Sequence, residues 1–153
     1  EYGDFYAWGE TEPKEEYIWY NYKWGEKSTK YNDKDGKTVL EPEDDVVYLK
    51  TKGVAHIPTI EQIQELLDNT ISKNQTINGV AGRLYKSKVN GNNIFLPFAG
   101  DCDHYMGGNL WSNYLSSSNF DKRNIHYFYI SRNTSDIFTT NRCDGFSVRG
   151  VKN

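Results

Sequence analysis

Residues 57–69 read IPTIEQIQELLDN and give the strongest secondary-structure signal in the chain. Pro58 precedes Thr59, which can cap a helix, and Gln62 follows three residues later, so the pattern predicts a capping box. The apolar residues recur at helical spacing on one face, at Ile60, Ile63, Leu66 and Leu67. We therefore predict one main amphipathic helix, over about residues 60–68, that covers a core.

Short strands are predicted on the C-terminal side of this helix. The run IFLPF at residues 94–98 is typical of a buried strand, and further strands are expected near 110–112, 125–131 and 145–151. Within the Asn- and Gly-rich stretch that precedes them, Asn90-Gly91 favours a two-residue hairpin turn. One helix, short antiparallel strands and long loops indicate an α+β domain.

Aromatic residues crowd the N-terminal segment, residues 1–24. We expect short strand and irregular coil here, wrapped over the domain. Its rings pack in the core or form a sugar-stacking platform. The acidic run EPEDD at 41–45 is expected to be a solvated face or the start of a helix.

Length and charge set the class of protein. A chain of 153 residues fits a single domain spanning 1–153. The net charge of -3 lacks the basic excess of a nucleic-acid binder, so no nucleic-acid partner is expected. No apolar run approaches the ~18 residues of a spanning helix, so this segment is not expected to insert into a membrane.

Residues 101–104 (DCDH) hold the main catalytic or metal-binding candidates. Cys102 lies two residues before His104 and could pair with it as nucleophile and base, and Asp101 and Asp103 could bind a metal. Neighbouring residues of an extended segment point to opposite sides, so the four converge poorly on one ion. Cys102 and Cys143 allow one disulfide at most, and both the bridged and the free states stay open.

Two further patterns bear on cofactors. DKDG at residues 33–36 is similar to the start of a calcium loop, but no Glu closes the loop at the required place. The chain has no P-loop, dinucleotide fingerprint or His-Glu-x-x-His motif. We expect no cofactor, no metal and no enzymatic activity.

An ordered set of segments extends from Tyr2 to Val151. They are YGDFYAWGETEPK at 2–14, LEPEDD at 40–45, IPT at 57–59, ELLDN at 65–69, NGNNIFLP at 90–97, LWS at 110–112 and GFSVR at 145–149. This order resembles the Fibrobacter succinogenes major paralogous domain family, which is common in gut Bacteroidetes. Family members usually carry an upstream segment, which the resemblance implies is missing here.

The resemblance implies a C-type-lectin-like fold. That fold is shared with formylglycine-generating enzymes and with the variable proteins of diversity-generating retroelements, which display ligand-binding residues on it. We therefore expect a binding domain of a human gut bacterium or its phage, located at the cell surface, outside the cell or on a virion. Its oligomeric state and anchor stay open.

Departures from these relatives limit what is carried over. Trp111 is followed by Ser112 and Asn113 where the calcium-dependent lectins have Trp-Asn-Asp, so sugar binding of that kind is not expected. Formylglycine-generating enzymes use a close cysteine pair, whereas Cys102 and Cys143 are far apart in the sequence. Two alternatives remain: an enzyme of that type, or a metal-dependent one, using Cys102, Asp101 and Asp103; and a structural cell-envelope or fimbrial subunit.

The composition of residues 112–144 is consistent with diversification. Retroelements mutate adenines, and changing the adenines of an AAC codon cannot yield Lys, Glu, Gln, Met or Trp. Lys122 is the one residue of this stretch outside the reachable set, and every Glu of the chain lies at or before Glu65. An ordinary Asn- and Ser-rich family loop gives the same composition, so both origins stay open.

Tyr, Ser and Asn suit an adaptable binding surface, because they combine rigid aromatic area with small hydrogen-bonding groups. The ligand, a protein or a glycan, is expected to contact a C-terminal surface at about residues 112–144. The candidate contacts are Asn113, Tyr114, Ser116, Asn119, Asp121, Asn124, Tyr127, Tyr129, Asn133, Ser135, Asp136, Thr140, Asn141 and Asp144. The expected scaffold beneath them is Trp111, Phe128, Ile130, Phe146 and Val148, and Arg149 is expected to have a structural partner.

Overall fold

The computed structural model describes residues 3–102 and 110–153, and within these the predicted α+β class is confirmed. The helices are α1 (Val46–Lys50) and α2 (Ile60–Asn69), with short 3₁₀ helices at Trp19–Asn21 and Pro42–Asp44. The strands are β1 (Ala55–His56), β2 (Thr70–Ile77), β3 (Val80–Ser87), β4 (Asn93–Pro97), β5 (Trp111–Asn119), β6 (Asn124–Ser131), β7 (Ser135–Asn141) and β8 (Val151–Lys152). They form antiparallel sheets ordered β2-β3-β4, β5-β6-β7 and β1-β8.

Helix α2 forms as its sequence predicts. Thr59 Oγ1 accepts from the Gln62 N–H at 3.4 Å, and Gln62 Oε1 accepts from the Thr59 N–H at 2.9 Å, which completes the capping box. Ile63 is buried, with Leu66 packed partly against the same core. The helix therefore covers one side of the domain with its apolar face.

The stretch after α2 is more regular than predicted, because β2 and β3, with eight residues each, form one antiparallel hairpin. Asn78 and Gly79 both have positive φ, 51° and 79°, as the tight turn of a two-residue hairpin requires. The two-residue turn predicted at Asn90-Gly91 is wrong. That pair lies in a longer loop between β3 and β4, closed by a bond from Ser87 N–H to Asn92 O.

The β5–β7 sheet separates two hydrophobic clusters. One face carries Tyr114, Phe128 and Ile130, which pack with Ile63 of α2 and Leu96 of β4. The other face contributes residues to a cluster built with the N-terminal aromatics. Because side chains alternate along a strand, the same three strands serve both clusters.

The C-terminal segment does not form the continuous strand predicted at 145–151. Phe146 pairs with Tyr6 and Ser147 with Tyr114, each as a single bridge, and only Val151–Lys152 forms a strand, against β1. Gly150 lets the segment approach α1 closely, because a Cβ there would lie 2.6 Å from Val47. The segment therefore lies between the N-terminal residues around Tyr6 and strand β5.

The N-terminal aromatics build the cluster on the side of the sheet away from α2, so the core-packing interpretation of this segment is confirmed for Trp8, Tyr22 and Trp24. Trp8 is fully buried, and its ring centroid lies 5.0 Å from that of Tyr31 and 6.1 Å from that of Trp24. Tyr22 packs edge-on against Trp24 and donates its hydroxyl to Trp8 O at 2.9 Å. Tyr20, by contrast, is 96% exposed.

The acidic run at 41–45 leads into helix α1, so the helix-start interpretation is confirmed. The alternative, a solvated face, is wrong for Asp44 and Asp45. Both side chains are buried. Asp45 caps α1 by accepting from the Val47 and Tyr48 N–H groups, and its other oxygen accepts from Ile57 N–H at 2.7 Å. Buried carboxylates persist because they are fully hydrogen-bonded.

The buried side chain of Arg142 connects the N-terminal part of the chain, around Tyr31, to the β5–β6 turn. It is completely buried, and its guanidinium donates to Lys30 O at 3.1 Å and to Tyr31 O and Asp121 O at 2.6 Å each. Its charged carbon lies 4.8 Å from the centroid of the Trp8 ring. Burial is the main cause that lowers the pKa of this group, and the carbonyls and the ring compensate for part of the lost hydration.

We predict that Arg142→Lys lowers the free energy of unfolding by about 3 kcal/mol, because an ammonium cannot reach three carbonyls and stack on Trp8 together. Urea unfolding followed by tryptophan fluorescence measures the change. Arg123→Lys is the matched control. Arg123 is 44% exposed and pairs with Glu26, so its replacement should cost less than ~1 kcal/mol. Equal effects of the two substitutions would contradict this role of Arg142.

Candidate functional site

The candidate site is the face of the β5–β7 sheet that points away from α2. Strand register places Tyr127 opposite Leu115 and Phe138, Tyr129 opposite Asn113 and Asp136, and Ile125 opposite Thr140. Directly opposite residues share a face of an antiparallel sheet. We call the solvent-accessible part of this surface the aromatic face; it consists of Trp111, Tyr127, Tyr129, Asp136, Phe138 and Thr140.

Four rings of the aromatic face lie in contact. The ring centroids of Trp111 and Tyr129 are 6.4 Å apart, those of Tyr129 and Phe138 5.9 Å, and those of Tyr127 and Phe138 6.2 Å. Phe138 remains 45% exposed, while the other three are half-buried. Large rings fixed by their neighbours and open to solvent offer contact area at low entropic cost.

Acidic and hydroxyl groups lie beside these rings. Asp136 is exposed on β7, and Thr140 donates its hydroxyl to Asp144, which lies three residues beyond the end of the same strand. Burial raises the pKa of Tyr127, and the charges of Tyr129, Asp101 and Asp144 raise it further. The aromatic face therefore combines apolar ring area with carboxylates and hydrogen-bonding hydroxyls.

The structure brings five of the sequence-predicted contacts together on or beside this face: Tyr127, Tyr129, Asp136, Thr140 and Asp144. Asn119, Asp121, Asn124 and Asn141 lie instead toward the β5–β6 turn, and Asn133 and Ser135 at the β6–β7 turn.

Several of those turn residues have structural roles. Asp121 accepts from the Arg123 and Asn124 N–H groups at 2.7 Å each, which shapes its turn. Burial acts to raise the pKa of this carboxyl, but the side-chain hydrogen bond from Asn124 and the two N–H groups together lower it. The Ser135 hydroxyl pairs with Tyr85 OH at 2.6 Å. Asn133 and Asn141 remain exposed.

Asn113, Tyr114 and Ser116 were expected on the surface, and this expectation is wrong, because all three are buried. Tyr114 points to the α2 side and donates to Pro97 O at 2.7 Å, and Ser116 donates to His126 O at 2.8 Å. Asn113 lies under the C-terminal segment, whose Ser147 N–H donates to Asn113 O. Strand β5 is covered on both faces. Its many polar residues gave no indication of this burial.

Sequence reasoning missed Phe138 as a surface contact and assigned Trp111 to the scaffold. The strand Ser135–Asn141 was not predicted, because its two apolar residues are adjacent and do not alternate with polar ones. The available signal was the run of β-branched and aromatic residues at 137–140. The expected scaffold residues Phe128, Ile130 and Phe146 are buried, which confirms them, whereas Trp111 and Val148 are only half-buried.

The enzymatic alternative falls partly outside the described residues, because Asp103 and His104 belong to the segment 103–109. No disulfide joins Cys102 to Cys143. Burial raises the pKa of Cys143 to about 12, so this thiol is a poor nucleophile near neutral pH.

Among the described residues, one carboxylate group has metal-like spacing: Glu41, Glu43 and Asp44. The Lys30 ammonium lies among them, 2.7 Å from Glu41, 3.2 Å from Glu43 and 2.5 Å from Asp44. A lysine thus supplies the positive charge at this cluster. In the turn at 33–36, Asp35 accepts from backbone N–H groups of Tyr31 and Asn32.

No family model, curated protein or solved structure matches this chain. In the ranges 3–102 and 110–153, no helix has the length and apolar character needed to cross a bilayer.

We predict that Cys143 resists iodoacetamide at pH 8 in a Cys102→Ser variant, because with a pKa of about 12 only about one thiol in 10⁴ is ionised. Mass spectrometry measures the labelled fraction. Urea-unfolded protein is the control and should label fully in the same time. Comparable labelling of folded and unfolded chains would show that Cys143 is accessible and reactive.

Proposed function

We propose that this chain is a non-enzymatic recognition domain that binds a protein or a glycan through the aromatic face. The observation that carries the proposal is the exposed Phe138 ring in contact with Tyr129, on a sheet whose opposite face is core. Interfaces concentrate binding energy in such ring clusters with polar groups around them.

The polar neighbours suit either class of ligand. Asp136, Asp144 and Thr140 can accept or exchange hydrogen bonds with hydroxyl groups of a sugar or with amides and cations of a protein. The rings can stack on apolar faces of either partner. The contact set differs from the sequence-based one in two ways. It loses the buried Asn113, Tyr114 and Ser116 and the six predicted contacts that lie toward the two turns, and it gains Phe138 and Trp111.

The wider biological setting rests on resemblance. Similarity to the Fibrobacter succinogenes major paralogous domain family, with a C-type-lectin-like fold, supports a surface, secreted or virion-borne protein of gut bacteria or their phages. The composition of residues 112–144 supports diversification by a retroelement. A near-copy of these codons that differs at adenines, beside a reverse transcriptase gene, is the expected genomic mark of it.

We predict that the double variant Asp136→Ala/Phe138→Ala loses the ligands that the native chain selects from a glycan array and from a displayed peptide library. Truncating a central aromatic contact costs about 2 kcal/mol, roughly 30-fold in Kd. Because both side chains are exposed, the melting temperature should change by no more than a few degrees.

Tyr20→Ala is the matched control, because it removes an aromatic side chain that is exposed outside the aromatic face. It should leave every selected ligand bound. Ligands that bind the double variant as tightly as the native chain would contradict recognition by this face. Selection of no ligand at all from either library would favour the structural-subunit alternative.

A further inference from the structure

A groove runs along α2 on the side of the β5–β7 sheet opposite the aromatic face. Its volume is ≈ 360 Å³. One wall is α2, from Gln62 to Asn69, and the other walls are β4 and the segment 149–151. Ligand pockets usually measure about 300–1,000 Å³, so the groove has room for one small molecule.

The floor of the groove is apolar and fixed. Ile63, Leu96 and Phe128 line it, and each is almost completely buried in the surrounding structure. Leu66 and Ile94 form half-buried parts of the rim. An apolar floor with few polar groups around it is the usual form of a small-molecule site.

Among the residues that the structure describes, the polar rim of the groove contains one cation, Arg149. We expected a structural partner for this side chain, but no ion pair or hydrogen bond connects its guanidinium to another described residue, and it is exposed. A second cavity of ≈ 300 Å³ is also lined by Arg149 and contains Lys50 and Asp4. The guanidinium therefore lies where the apolar groove opens toward a charged region.

From these features we infer that the groove binds a small amphipathic carboxylic acid, with its alkyl chain along Ile63, Leu96 and Phe128 and its carboxylate on Arg149. Each CH₂ removed from water tightens binding roughly fourfold, and a guanidinium binds a carboxylate through two parallel hydrogen bonds. This site is separate from the proposed recognition function, because its floor belongs to the opposite face of the sheet.

Glu65 is the rim charge that opposes this assignment. It lies on the exposed side of α2 and would favour a cationic head group instead. We assign the carboxylate to the ligand because Arg149 lines both cavities, whereas Glu65 lines only one. Arg149 therefore predicts an anionic ligand and Glu65 a cationic one, and titration with ligands of each charge separates the two.

Isothermal titration of the chain with octanoate, octan-1-ol and octylamine tests the site. Octanoate should bind most tightly. Arg149→Gln should raise the Kd for octanoate about tenfold and change the Kd for octan-1-ol by less than about twofold, because only the acid binds the guanidinium. Ile94→Trp should weaken the binding of both octanoate and octan-1-ol, because the larger side chain fills the groove. If Ile94→Trp lowers the melting temperature, Leu66→Trp is used in its place.

Glu65→Gln is the matched control, since it removes the other rim charge and should leave octanoate binding unchanged or tighter. Failure of the native chain to bind octanoate at millimolar concentration overturns the proposal. So does an equal effect of Arg149→Gln on the acid and the alcohol, or a preference for octylamine that Glu65→Gln abolishes. None of these results depends on the aromatic face.

Discussion

The buried Arg142 guanidinium is the constraint on which the rest of the fold depends. It lies on the Trp8 ring and bonds to carbonyls of the segments around Tyr31 and Asp121. A cation without these partners would be costly to bury, so the aromatic N-terminal segment, the β5–β6 turn and the end of β7 form together. Trp8 N–H also donates to Arg142 O, which adds a backbone connection at the same point.

This frame gives the β5–β7 sheet two different faces. Phe128 and Ile130 are buried against α2 and β4, whereas Tyr129 and Phe138 point to the other side and stay partly exposed. A sheet that is packed against α2 on one face and covered at β5 on the other can hold the rings of β6 and β7 in fixed positions, which reduces the entropy lost when a ligand binds. The recognition proposal and the groove beside α2 therefore use opposite sides of one support.

Elements that depend on local contacts could be predicted from the sequence, whereas several that depend on distant contacts could not. Helix α2 was predictable because Thr59 and Gln62 form its cap locally, and β6 because its apolar residues alternate. Strand β5 was recognised only at its start, since Ser116 and its polar neighbours are buried and satisfied by distant backbone groups. The β2–β3 hairpin was missed although Asn78-Gly79 carries the same turn signal as the pair at 90–91. The candidate site was predicted in part, because local composition cannot show which face of a strand is covered.

Saturation mutagenesis of β6 and β7, scored for folded protein by protease resistance on a display platform, tests the central claim most directly. The two-faced sheet predicts alternation: Phe128, Ile130 and Ile137 should tolerate few substitutions, whereas Tyr129, Asp136 and Phe138 should accept most polar and apolar residues. Equal intolerance along both faces would show that the rings of β6 and β7 are core, and it would contradict an exposed recognition surface on a rigid frame.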